Sequence, residues 1–166
     1  MKLDVSQALR NPGQEYPFRV EQAIAPMELG GDDITFDTAV LQGVYSATED
    51  GDVTFDGELT TVAHSQCANC LEPASADIQA AFRETFLRNG DPEDDEIFVY
   101  GGSAVGFEKL AMSNAVLALP MRFLCKEDCP GLPGIAGTDE DYCQKEMQNE
   151  HPFAALQQLL TKDEEV

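Results

Sequence analysis

The residues best suited to chemistry are cysteines. They stand as Cys67-Ala68-Asn69-Cys70 and as Cys125-Lys126-Glu127-Asp128-Cys129, with two and three residues between the sulfurs. A tight turn brings two thiolates at such spacing to one side, where they can chelate a tetrahedral zinc ion. Joined across the 54 residues that separate Cys70 from Cys125, the two pairs make a candidate four-cysteine site, and zinc is its expected metal. Such a site would pin the segment after Pro120 onto the element that presents Cys67, and metal binding would then contribute directly to folding. Two alternatives stand beside it: isolated thiols with no metal, and a redox-active Cys-x-x-Cys. Redox motifs ordinarily sit at a helix N-terminus that lowers the thiol pKa, whereas this one follows a strand pattern and no βαβ unit precedes it. A fifth cysteine, Cys143, lies in an acidic stretch and ranks below the other four as a ligand. An odd count without a secretory pattern argues against a disulfide framework.

Little else points to a reaction. His64 falls three residues before Cys67 on the polar side of a strand, either as a spare ligand or simply exposed. His151 precedes Pro152 and reads as a helix-entry residue. No GxSxG, Walker A, HExxH or dinucleotide-binding glycine pattern occurs. Gly101-Gly102-Ser103 ahead of a helical pattern could hold an anion, but Glu93 to Glu96 nearby oppose one; the acidic cluster Asp91 to Glu96 could bind a cation, though it reads first as a solvated loop. No residue is assigned a catalytic role, and the chain is expected not to be an enzyme.

Several elements must position the cysteines. Asp4 to Leu9 reads as a short helical turn stopped by Asn11-Pro12-Gly13, and Tyr16 to Met27 as a strand. After Gly30-Gly31-Asp32-Asp33, the residues Ile34, Phe36, Thr38 and Val40 alternate with Thr35, Asp37 and Ala39, the period of a half-buried strand. Asp50-Gly51 suits a tight hairpin turn. Beyond it Val53, Phe55, Gly57, Leu59, Thr61 and Ala63 share one face, and this clearest of the strands runs directly into Cys67. Ile78, Ala80 and Phe82 continue as a further strand toward Phe86, and Ile97 to Tyr100 as a short one. From Ser103, a candidate cap, Phe107, Leu110, Ala111 and Asn114 take helical spacing up to about Leu119. Pro152, Phe153, Leu156, Leu159 and Leu160 form an amphipathic pattern after a glycine- and proline-rich loop. The expected fold is α+β: a predominantly antiparallel β-sheet or small barrel in the N-terminal half, with helices in the C-terminal half.

At 166 residues the chain suits a single domain over 1–166, with a cysteine-containing loop region over 121–150 and a C-terminal helix over 151–162. Lys2 is followed by no apolar run, and no stretch is long and apolar enough to span a bilayer, so a cytoplasmic protein is expected. Thirty-one Asp and Glu against ten Lys and Arg give a net charge of −21. Such a surface repels phosphate backbones, so direct nucleic-acid binding is disfavoured and a basic protein is the easier partner. Acidic surfaces also simply keep proteins soluble.

The motifs together resemble a known family. Cys67-Ala-Asn-Cys70-Leu71-Glu72 is similar to the Cys-x-x-Cys-Leu-Glu signature of the YceD family, the large-ribosomal-RNA-subunit accumulation proteins. Leu117-Ala118-Leu119-Pro120 resembles that family's Leu-x-Leu-Pro helix exit. Cys129-Pro130-Gly131-Leu132 and His151-Pro152-Phe153-Ala154-Ala155-Leu156 resemble its later segments. Pro133 and Ala136 stand where cysteine-rich members carry two further cysteines, and only Cys143 remains of a closing Cys-x-Cys. The resemblance leaves a site of Cys67, Cys70, Cys125 and Cys129, and it implies a non-enzymatic role in accumulation of large-subunit ribosomal RNA. It also implies a partner: a small basic ribosomal protein (bL32, encoded beside the family in many bacteria) or a pre-ribosomal particle.

Overall fold

The structure, a computed structural model, describes residues 2–132 apart from 92, 93, 95 and 96. Cys143, His151 and the amphipathic pattern after Pro152 lie outside the described residues. In chain order the elements are β1 (Lys2–Asp4), α1 (Ser6–Arg10), β2 (Tyr16–Gln22), β3 (Met27–Leu29), β4 (Asp32–Phe36), β5 (Ala39–Ala47) and β6 (Val53–Gln66). There follow β7 (Pro73–Leu87), β8 (Phe98–Val99), β9 (Ala104–Gly106) and α2 (Glu108–Leu117). The architecture is the expected one, mostly antiparallel sheet with few helices and the longer of these in the C-terminal half.

β6 is the centre of the sheet. One side of it pairs with β7 from Val53↔Phe86 to Gln66↔Pro73. The other side is shared: β5 takes Val53 to Thr60, and β4 takes Ala63 and His64. β2 lies outside β5, β3 outside β4, and β8 runs parallel to the end of β7. The β5–β6 turn closes with the Gly51 N–H donating to Thr48 O at 3.1 Å, and Gly51 takes a φ of +88°, the left-handed conformation that the Asp-Gly pair predicts.

The alternation predicts Ile34, Phe36, Thr38 and Val40 on one face of a single strand, but Ala39 and Leu41 are the buried residues and Val40 is only half-buried. The cause is a change of register. Thr35↔His64 and Phe36↔Ala63 pair one residue out of step with Val40↔Thr60 and the pairs after it, so Asp37 and Thr38 carry an extra residue between β4 and β5. A one-residue insertion turns every following side chain to the opposite face. Here it is fixed by the Asp37 N–H donating to Val62 O at 2.9 Å and the Thr61 hydroxyl donating to Asp37 O at 2.9 Å.

The core lies on the face of β6 that carries Val53, Phe55, Leu59 and Ala63, all fully buried. α2 and the residue before it close this face. The Phe55 ring meets Phe107 at 5.0 Å, Phe18 at 5.2 Å and Phe86 at 5.3 Å between centroids, each edge to face, an arrangement favoured by the ring quadrupoles. Beside this cluster, Gly43 and Gly57 face each other across β5 and β6, and a Cβ on Gly57 would sit 2.3 Å from the Gln42 carbonyl oxygen. The helix begins at Glu108 rather than near Ser103, because Ala104 to Gly106 pair with Lys2 to Asp4 instead.

Candidate metal centre

The cysteine site is built at the end of the β6–β7 hairpin. Cys67 follows the last residue of β6, and Cys67 to Glu72 form the turn that feeds β7. The Cys67 N–H donates to Glu72 O at 2.8 Å and the Leu71 N–H to Cys67 O at 2.9 Å, closing the turn on itself. Leu71 takes a φ of +62°, a conformation most L-residues avoid. The second pair comes from Met121 to Leu132, which has neither helix nor strand. That segment is docked on the turn by backbone and side-chain bonds. The Ala68 N–H donates to Phe123 O at 2.9 Å, the Asn69 amide to Cys129 O at 3.4 Å, and the Phe123 ring is buried.

The result is a four-sulfur cluster. Cys67 Sγ lies 3.8 Å from Cys129 Sγ, Cys70 Sγ lies 3.6 Å from Cys125 Sγ, and all four sulfurs fall within 4.8 Å of one another. Four thiolates at about 2.3 Å from a zinc ion stand about 3.8 Å apart along the edges of the tetrahedron. A disulfide would need about 2.05 Å, and the four cysteines are free thiols. The Cys67–Cys129 and Cys70–Cys125 contacts each join one turn to the other. Burial is graded: Cys67 is fully buried, Cys70 and Cys129 are half-buried and Cys125 is exposed.

The backbone prepares the innermost sulfur for charge. The N–H groups of Cys125, Asn69 and Cys70 converge on the Cys67 sulfur and, against its desolvation, lower its pKa from 9.0 to about 6. With one sulfur ionised the others resist. Cys125 is pushed up to about 12, first by its hydrogen bonds to the sulfurs of Cys129 and Cys70 and then by desolvation. At Cys70 the Glu72 N–H pulls the pKa down, but desolvation and the sulfurs of Cys129 and Cys67 outweigh it, and the net shift is upward. Four sulfurs this close repel one another as thiolates, and a divalent cation removes that conflict. The donor set therefore fits a soft divalent metal such as zinc, which Cys67, Cys70, Cys125 and Cys129 would hold. With four protein thiolates around it, such an ion would supply a cross-link between the two segments.

Other candidates lie elsewhere. His64 bonds Asp37 at 3.2 Å between Nε2 and Oδ1 and does not join the cysteine cluster. The Gly101-Gly102-Ser103 turn is tied to the N-terminus, with Ser103 O accepting the Val5 N–H at 2.8 Å. The roles of Ala68, Asn69 and Phe123 have no signature in the spacing; only the apolar character of Phe123 hints that its segment is anchored. On the outer sheet face the Arg19 guanidinium donates to Gln42, the Gln42 amide to Glu58, and the Gln79 amide to the other Glu58 oxygen. Those two amides, from Gln42 and Gln79, hold the Glu58 pKa below its usual value. Among the described residues, no helix is long and apolar enough to cross a membrane.

Comparison with known proteins places this geometry in a family. The model described as large ribosomal RNA subunit accumulation protein YceD matches residues 55–160, a span that holds both cysteine pairs. The chain belongs to the YceD family. Relatives include the uncharacterized proteins Mb2951c of Mycobacterium bovis and Rv2926c of Mycobacterium tuberculosis. Each is 27% identical over 141 residues, covering 80% of this chain and 67% of the relative. No solved structure matches the chain. In this member of the YceD family, then, the strand-to-turn junction at Cys67 and the docked segment at Cys125 bring together the four sulfurs of the candidate site.

Proposed function

We propose that the protein is a non-enzymatic assembly factor for the large ribosomal subunit, acting by binding a basic ribosomal protein of the bL32 kind or a precursor particle. Family membership, through the match over residues 55–160, is the observation that carries this reading. The net charge of −21 supports a basic partner, because opposite charge speeds encounter and suppresses wrong pairings. Glu21, Asp56, Glu58 and Asp77 on the outer sheet face are the first contact surface to consider, with Arg19 and Arg83 among them to set orientation. In this reading zinc at the four cysteines has a structural part: it keeps the segment Met121 to Leu132 seated at the end of the sheet.

The test is co-elution of the purified protein with an equimolar basic ribosomal protein at moderate salt. A complex that weakens as salt rises is expected, since charges on exposed surfaces are screened. Separate elution at moderate salt would sink the binding mechanism. A second reading, a structural zinc domain with another cellular role, is favoured by the four-sulfur geometry alone. It predicts bound metal with no change in large-subunit ribosomal RNA when the protein is depleted.

A further inference from the structure

Strand β7 leaves one side open. It spans Pro73 to Leu87 and pairs with β6 over nearly its whole length, but among the described residues its other side pairs only with β8, at Phe86 and Leu87. Among the described residues no strand pairs with that side from Ala74 to Thr85. Soluble proteins usually blunt such an edge with proline, lysine or a bulge, because its unpaired N–H and C=O groups template another strand. β2, which among the described residues pairs only with β5, is blunted by Pro17. β7 has neither proline nor lysine after Pro73, its register against β6 runs without a bulge, and its one inward-facing charge is Glu84, opposite Phe55.

We propose that this edge is a self-association surface: two copies of the chain pair their β7 strands antiparallel about a two-fold axis at Ala80, making one continuous sheet. The sequence of the strand is self-complementary in that register. Asp77 comes opposite the partner's Arg83, and by symmetry Arg83 comes opposite the partner's Asp77. Both residues are exposed on the outer face. Ser75 meets the partner's Thr85 on the same face, while on the core face Ile78 meets the partner's Phe82 and Ala80 meets the partner's Ala80. Moving the axis to Gln79 sets Asp77 against alanine and Arg83 against serine. Moving it to Ala81 sets Asp77 against threonine and Arg83 against glutamine, so neighbouring registers lose both ion pairs. The Ala80 register also ends where β8 begins, because Phe86 would face the partner's Ala74. Arg83 can turn outward at little loss, since its contact with Asp56 is long, 3.9 Å, and 77% of its side chain is exposed.

Sedimentation equilibrium of the full chain over a range of concentrations tests this, with circular dichroism to show that each variant is folded. The wild-type protein is expected to dimerise. Asp77→Arg and Arg83→Asp should each weaken the dimer on the order of tenfold or more, because each sets like charges opposite one another twice per dimer. The double variant Asp77→Arg/Arg83→Asp restores opposite charges and should restore dimerisation. A wild-type protein that stays monomeric at every concentration overturns the proposal and leaves the edge to a different partner. So does a dimer that the single variants leave unchanged, or one that the double variant fails to recover.

Discussion

Leu71 joins the Cys67–Cys70 turn to β7 at a φ of +62°, yet its side chain is 60% exposed. A left-handed conformation costs a leucine about 1 kcal/mol, and asparagine tolerates it better. Leu71→Asn is therefore expected to raise stability toward urea by about that amount, since little buried surface is lost; an unchanged or lower midpoint would mean that the leucine side chain contributes packing that outweighs the strain. At the cysteines the expectation is metal itself. Elemental mass spectrometry of untagged protein should find near one zinc per chain, and none in Cys67→Ser/Cys70→Ser. Zinc-free wild-type protein would contradict the metal assignment. That each cysteine pair could bring its sulfurs to one side was legible from spacing, and the structure sets all four sulfurs within 4.8 Å of one another. The N–H groups that converge on Cys67 were not legible, because any residue can supply a backbone donor.

Among the elements, the pairing of β5 with β6 depends on the absence of a side chain at Gly57. A methyl group there meets backbone, the Gln42 oxygen at 2.3 Å and Gly43 Cα at 3.2 Å, so the strands must part to admit it. Gly57→Ala is expected to destabilise by about 1–3 kcal/mol, read as a lower urea midpoint with the metal content unchanged; an unaltered midpoint would show that the strands separate there without penalty. Alternation made β6 legible as far as Gln66, and the buried face named for it is the one that packs on Phe107. The same alternation failed between Phe36 and Ala39. A period of two persists through a stretch where an inserted residue exchanges the faces, and the signal for that insertion lies in partners distant in sequence. Ser103 was a reasonable cap on local grounds, but pairing of Ala104 to Gly106 with Lys2 to Asp4 claimed those residues first.

At the scale of the whole molecule, charge sets the terms of association. Thirty-one acidic residues against ten basic ones favour a cationic partner and oppose a second copy of the same chain. Added salt should therefore weaken capture of a basic protein while relieving the repulsion between two copies. The fold class was readable because β-patterned and helix-patterned segments occupy different halves of the chain. Which protein the acidic surface meets was never readable from composition, since any cation of suitable shape satisfies the same field.

The four-sulfur site also divides the chain in a way that strand pairing does not. An ion bridging Cys67 to Cys129 would close β7, β8, β9 and α2 into a ring of polypeptide, while β1 through β6 stay outside it. Fraying from either terminus cannot open such a ring. The N-terminal strands could peel from β5 outward and the ring would still hold Met121 to Leu132 at its mouth. The ladder between β6 and β7 is then the seam along which the tethered and untethered parts of the molecule are joined.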